Sequence, residues 1–98
     1  MTLAQIQKLI AQNRYDYTGK IRALIEEGYF EELDLKTCIL TATRISKRER
    51  DELGQAVGGM KYVIIGKDTH GRDFYTAGKV LRDYAGHYYF FITAHETA

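Results

Sequence analysis

Few side chains in this sequence could do more than pack: three histidines, one cysteine, and a tyrosine and lysine four residues apart. His95 is the strongest of them. It follows a β-branched and aromatic run, Tyr88 to Thr93, and a strand end can project an imidazole into a groove, where it exchanges protons near neutral pH. His70 and His87 stand beside Gly71 and Gly86, where polar residues are expected for backbone reasons, so both read as turn residues. Cys38 would need an electropositive, accessible setting to act as a nucleophile. It shares an apolar stripe with Leu35, Ile39 and Ala42, and reads as a buried structural thiol. Tyr75 and Lys79 fall on one side of a strand, because successive side chains alternate, and such a pair can stack on a base and touch a phosphate. No C-x-x-C or H-E-x-x-H spacing and no phosphate-loop glycine pattern occurs, so no metal and no cofactor are expected.

The stretch that must position these groups is Met60 to His95. It reads as three consecutive strands joined by turns at Asp68–Gly71 and Arg82–Gly86, since β-branched and aromatic runs alternate with Gly and Asp punctuation. Tyr62 and Ile64 share one face of the first strand, opposite Lys61, Val63 and Ile65. In the second, Phe74, Thr76, Gly78 and Val80 are the more apolar set and face the core, leaving Tyr75 and Lys79 on the open face. In the third, Tyr89, Phe91, Thr93 and His95 oppose Tyr88, Phe90, Ile92 and Ala94, and aromatics on both sides leave its inner face undecided.

The chain before Met60 reads as helical. Thr2 and Gln5 form a capping box for an amphipathic helix over residues 2–13, stopped by Asn13. Arg14 to Gly19 reads as a connection. Thr18 caps a second helix bearing Ile21, Leu24 and Ile25 and ended by Gly28, after which Tyr29 and Phe30 return to the core. Asp34 is the expected N-cap of a third helix. Ser46 to Glu49 matches a capping box for a short helix to Leu53, while the alternation Thr41 to Ile45 suggests a strand instead. The charges from Arg44 to Glu52 read as a solvated face, or else as a basic lip of Arg44, Lys47, Arg48 and Arg50. The fold class expected is therefore a single α+β domain, N-terminal helices packed on a C-terminal three-stranded antiparallel β-meander.

At 98 residues the chain suits one domain with a modest core. Its single cysteine excludes an internal disulfide. No apolar run reaches the length of a bilayer span and no signal-peptide layout opens the chain, so a cytoplasmic location with no membrane partner is expected. The net charge is +1, and no segment carries the excess that would by itself hold nucleic acid, so an RNA partner requires a local basic cluster.

The runs Lys61-Tyr62-Val63-Ile64-Ile65-Gly66, Gly71-Arg72-Asp73-Phe74 and Phe91-Ile92-Thr93-Ala94-His95 resemble, in order and spacing, a bacterial family with the RelE-like toxin fold. Similar layouts occur in the BrnT and MqsR toxin groups. The resemblance spans about residues 18–96 and implies a small α+β domain, metal-independent cleavage of messenger RNA, and an antitoxin partner that blocks the site. In such enzymes a 2′-hydroxyl attacks the adjacent phosphate while basic and tyrosyl groups handle charge and protons. Arg72, at a matching motif position, together with Lys79 and Arg82, would meet the phosphate. His95 and Tyr75 would handle the proton. The family's helical His-x-x-x-Arg pair is missing, with Gly19 and Ala23 at those positions. The alternative expectation is a non-catalytic interaction module of the same fold, binding a partner or itself as a homodimer through exposed aromatics and a sheet edge.

Overall fold

A computed structural model describes residues 1–97. Helix α1 (Leu3–Ala11) begins as its capping box dictates. The Thr2 hydroxyl accepts from the Gln5 N–H at 3.2 Å, and the Gln5 amide oxygen accepts from the Thr2 N–H at 2.9 Å. Ile6 and Ile10, one turn apart, are fully buried. The helix ends earlier than expected, and Asn13 takes the left-handed conformation (φ 57°) that turns the chain. Thr18 caps α2 (Gly19–Glu26), its hydroxyl accepting from the Ile21 N–H. Gly28 follows that helix at φ 85°. Of the two aromatics beyond it, only Phe30 returns to the core, and Tyr29 is largely exposed.

Helix α3 (Glu32–Thr41) corrects one expectation. Glu31, not Asp34, is the N-cap; Asp34 sits inside the first turn and accepts from the Glu31 N–H at 2.8 Å. The same carboxylate accepts from the N–H and hydroxyl of Thr69 at 2.9 and 2.8 Å. One buried side chain thus starts the helix and ties it to a distant turn. Leu35, Cys38, Ile39 and Ala42 are all buried, as their spacing requires.

The strands form one five-stranded mixed sheet in the order β1-β5-β4-β3-β2. β3 (Met60–Lys67), β4 (Asp73–Asp83) and β5 (Gly86–Glu96) run antiparallel in succession. The expected three-stranded sheet is corrected by two further strands. β1 (Tyr15–Tyr17) lies in the supposed connection and pairs parallel with β5, Tyr15 opposite Tyr89. β2 (Lys47–Arg50) replaces the short helix after Ser46 and pairs antiparallel with β3; residues 42–46 carry no strand. An edge strand can keep four charged side chains hydrated, whereas this segment has no apolar stripe with which a helix could dock.

All three helices contribute to a core on one face of the sheet, with Tyr62, Ile64, Phe74, Val80, Tyr89 and Phe91 beneath them. The inner face of β5 is settled by a bulge. Gly78 pairs with Phe91 and Ala77 with Thr93, so Ile92 is the extra residue. Before it Tyr89 and Phe91 face inward; after it the parity reverses, placing Ala94 inward and Thr93 and His95 outward. Two glycines allow close approach on the covered face. A Cβ at Gly66 would lie 1.9 Å from the Cys38 carbonyl oxygen, and one at Gly78 would lie 2.6 Å from the Tyr89 ring. No helix among the described residues is long and apolar enough to cross a membrane.

Candidate functional site

Among the described residues, the three α-helices pack on the first face of the sheet and none lies over the second. Tyr75 and His95 are directly opposite in register on β4 and β5, and their rings stack at 4.6 Å between centroids and 12° between planes. His95 is exposed and Tyr75 half-buried. The His95 Nδ1 lies 2.9 Å from the main-chain oxygen of Glu96. A carbonyl can only accept, so Nδ1 carries the hydrogen and Nε2 of the neutral ring presents a lone pair. Val63, Ala77, Ile92, Thr93, Lys61 and Glu49 line a shallow groove with Tyr75. Lys47, across β3 from Ala77, adds a cation to this face and pairs with Glu49 at 3.0 Å.

The other nominated residues do not join this pair. Lys79 does belong to the same face, yet it is 4% exposed. Its Nζ lies 3.3 Å from Asp51 Oδ1 and 3.5 Å from the Gln55 side-chain oxygen. The loop after β2 folds over this half of the face, stapled by Asp51 Oδ2, which accepts from the N–H groups of Gln55 and Ala56 at 2.9 and 2.8 Å. Burial pushes the Asp51 carboxyl up, but those two N–H groups and Lys79 outweigh it and hold it below the usual range. Lys79 is thereby withdrawn from any ligand. Arg82 stands at the far end of β4, seven residues or about 23 Å from Tyr75, with a terminal nitrogen 3.3 Å from the His87 ring.

Arg72 lies at the near end, on the helix side of the β4–β5 pair. Its guanidinium sits 3.4 Å from Asp68 and 3.3 Å from Glu96. It lines a cleft of about 410 Å³ with His70, Glu31, Asp34, Asp68 and Glu96. The Asp68 carboxylate accepts from the N–H groups of His70 and Arg72 at 2.8 and 2.9 Å, which makes the β3–β4 turn; His70 is accordingly an exposed turn residue. His87 takes no part in the Tyr75–His95 pair: its carbonyl accepts from Arg14 at 3.1 Å near the second hairpin. Cys38 is fully buried, its thiol 3.2 Å from the Phe74 carbonyl. Burial pushes this thiol up to about 11, so it stays protonated and inert near neutral pH.

Two features lay beyond sequence reasoning. Lys61 was assigned to the outer face but not to the groove, which exists only once β2 supplies its wall with Glu49. The second is a carboxylate held by two phenols: Glu32 accepts from Tyr15 and Tyr17 at 2.6 and 2.7 Å, across a contact that required knowing β1. Among the described residues no group of three or more His, Cys, Asp or Glu side chains could hold a metal ion. Comparison with family models, curated proteins and solved structures finds none that matches this chain.

Proposed function

We propose that the chain is a metal-independent RNA endonuclease domain of the RelE-like toxin type, restrained by an antitoxin partner. The observation that carries this reading is the stacked Tyr75–His95 pair on the uncovered sheet face, with His95 exposed and its Nδ1 at 2.9 Å from the Glu96 main-chain oxygen. His95 takes the proton of a ribose 2′-hydroxyl. The O2′–P bond forms, the P–O5′ bond breaks, and the leaving 5′-oxygen receives a proton from the Tyr75 hydroxyl. A cation must balance the pentacoordinate phosphate. On this face Lys61 can do so, and Lys47 once it leaves Glu49, just as Arg72 must first leave Asp68 and Glu96. A base can lie on the Tyr75 ring.

The experiment is induced expression, followed by incubation of the purified chain with messenger RNA in EDTA. Growth arrest and fragments ending in 2′,3′-cyclic phosphate are expected, with the rate falling at least about 100-fold in His95→Gln. A folded chain that leaves RNA intact would sink the reading.

The second reading is a non-catalytic interaction module. It is favoured by the neutralised state of Arg72 and Lys79 and by the half-exposed Val63, Ala77 and Ile92 beside the 40%-exposed Ile65. Stable association without RNA cleavage, lost on Ile65→Asp, would select it.

A further inference from the structure

The proposed nuclease has few cations at its reacting groups, so something else must hold the RNA backbone. We infer that the β2 edge of the sheet is a phosphate-binding track for single-stranded RNA, built from Arg44, Arg48 and Arg50. This assignment rests on the nuclease reading for the identity of the ligand, and on separate observations for the site.

Among the described residues β2 is the outermost strand on its side of the sheet. Arg48 and Arg50 are alternate residues of that strand, so their side chains leave the same face about 6.6 Å apart. That separation is comparable to the step between successive phosphates of an extended strand. Arg44, Arg48 and Arg50 are all exposed. None of the three has an ion pair or side-chain hydrogen bond among the described residues, whereas Arg14, Arg72 and Lys79 are all paired with carboxylates. An unpaired guanidinium presents its full fork of donors, the geometry that phosphate oxygens match best.

Charge bookkeeping favours an anion at this edge. From Arg44 to Arg50 there are four basic residues and one acidic, a local +3 in a chain of +1 overall. The acidic Glu49 is bound to Lys47. Asp51, next in the chain, is turned inward to Lys79 and Gln55, and only Glu52 stays exposed beside the track. The buried Lys79–Asp51 pair therefore removes a carboxylate from the neighbourhood of the arginines. Lys47 and Glu49 leave the uncovered side of β2, Glu49 forming a wall of the groove that holds Tyr75, whereas Arg48, opposite the buried Tyr62, and Arg50 leave the helix side of the same edge, so RNA held by the arginines reaches the stacked pair by crossing the β2 edge.

The test measures binding of a fluorescein-labelled oligouridylate by anisotropy over a series of salt concentrations, in a His95→Gln background that prevents cleavage. For single strands, the slope of log affinity against log salt falls by about 0.7 per phosphate contact removed. The double variant Arg48→Gln/Arg50→Gln should therefore lower the slope by about 1.4, and adding Arg44→Gln by about 2. Lys8→Gln/Lys20→Gln, equally exposed and elsewhere, should leave it unchanged. Arg48→Lys/Arg50→Lys should keep the slope while weakening affinity, since charge survives and the fork does not. An unchanged slope in the arginine variants overturns the track even if wild-type protein cleaves RNA. Arginine-dependent binding of RNA that the wild type never cleaves supports the track and overturns only the nuclease. Absence of RNA binding, with an acidic protein held by the same arginines, overturns the inference.

Discussion

The two faces of the central strands are made by alternate residues of the same short runs, yet they are built to different tolerances. On the covered face Tyr62, Ile64, Phe74, Val80, Tyr89 and Phe91 are at most 1% exposed. Two backbone positions there, Gly66 and Gly78, leave no room for one more carbon. On the other face Val63, Tyr75, Ala77 and Thr93 are half-exposed and His95 is exposed; the one charged side chain buried there, Lys79, is matched by Asp51. Stability resides on the first face, and the proposed cleavage chemistry belongs to the second. Substitutions should therefore separate the two properties by parity along a strand, and the following experiments press on that separation.

The largest effect belongs to Gly66→Ala. The new methyl meets backbone of α3, which cannot step aside as a flexible side chain would. A loss of about 3 kcal/mol is expected by urea denaturation, at the upper end of overpacking costs. Asp34→Asn comes next, at about 2 kcal/mol for hydrogen bonds made to a charged group. Burial pushes the Asp34 carboxyl up, but the Glu31 N–H and the N–H and hydroxyl of Thr69 outweigh it, holding the group below its ordinary value. Its folded pKa is thus depressed. The stability it confers is complete above about pH 4 and is lost as pH falls through the folded value. The variant should show a flatter decline of stability in acid than the wild type, and an identical decline would refute the assignment.

Tyr89→Phe tests the covered face in the opposite direction. The Tyr89 hydroxyl is buried with no hydrogen-bond partner among the described residues, and burial pushes its pKa up. Removing the oxygen should raise stability by about 1 kcal/mol, and a loss of similar size would reveal an unrecognised partner. The smallest effect is expected across the sheet. Tyr75→Phe keeps the ring that stacks on His95 and should change stability by less than about 0.5 kcal/mol. The proposed RNA cleavage should nevertheless fall about 100-fold. If stability and cleavage fell together, the division between the faces would fail.

Much of the architecture was legible wherever a local pattern sufficed. Thr2 with Gln5, Thr18 and Gly28 mark helix ends by their own hydrogen bonds and backbone preferences, the two faces of β3 follow from simple alternation, and so does the inward set of β4. The failures share a physical cause, dependence on distant chain. Tyr15–Tyr17 is too short to show a period and becomes a strand only because β5 is beside it. Ser46 to Glu49 carries a capping pattern, but pairing with β3 decides its state. The face of His95 depends on one bulge at Ile92, which reverses a parity that sequence alternation alone carries straight through. Lys79 lay on the expected face, and its burial depends on a loop folded back from residues 51–59. For the candidate site, the pair Tyr75 and His95 could be nominated from sequence, whereas the cations around it could not be sorted into free and neutralised.

The parallel pairing of β1 with β5 also constrains how the chain is made. Translation delivers Tyr15–Tyr17 long before their partners at 89–91, at about 5–20 residues per second. Until β5 emerges, Ile6, Ile10 and Ile21 lack the strand on which α1 and α2 pack. The domain therefore closes only once β5 has emerged, at the slower pace of folds dominated by distant contacts. A nascent chain arrested before Gly86 would lack both the last strand and the seat of the first, and would present its apolar helices to chaperones and proteases.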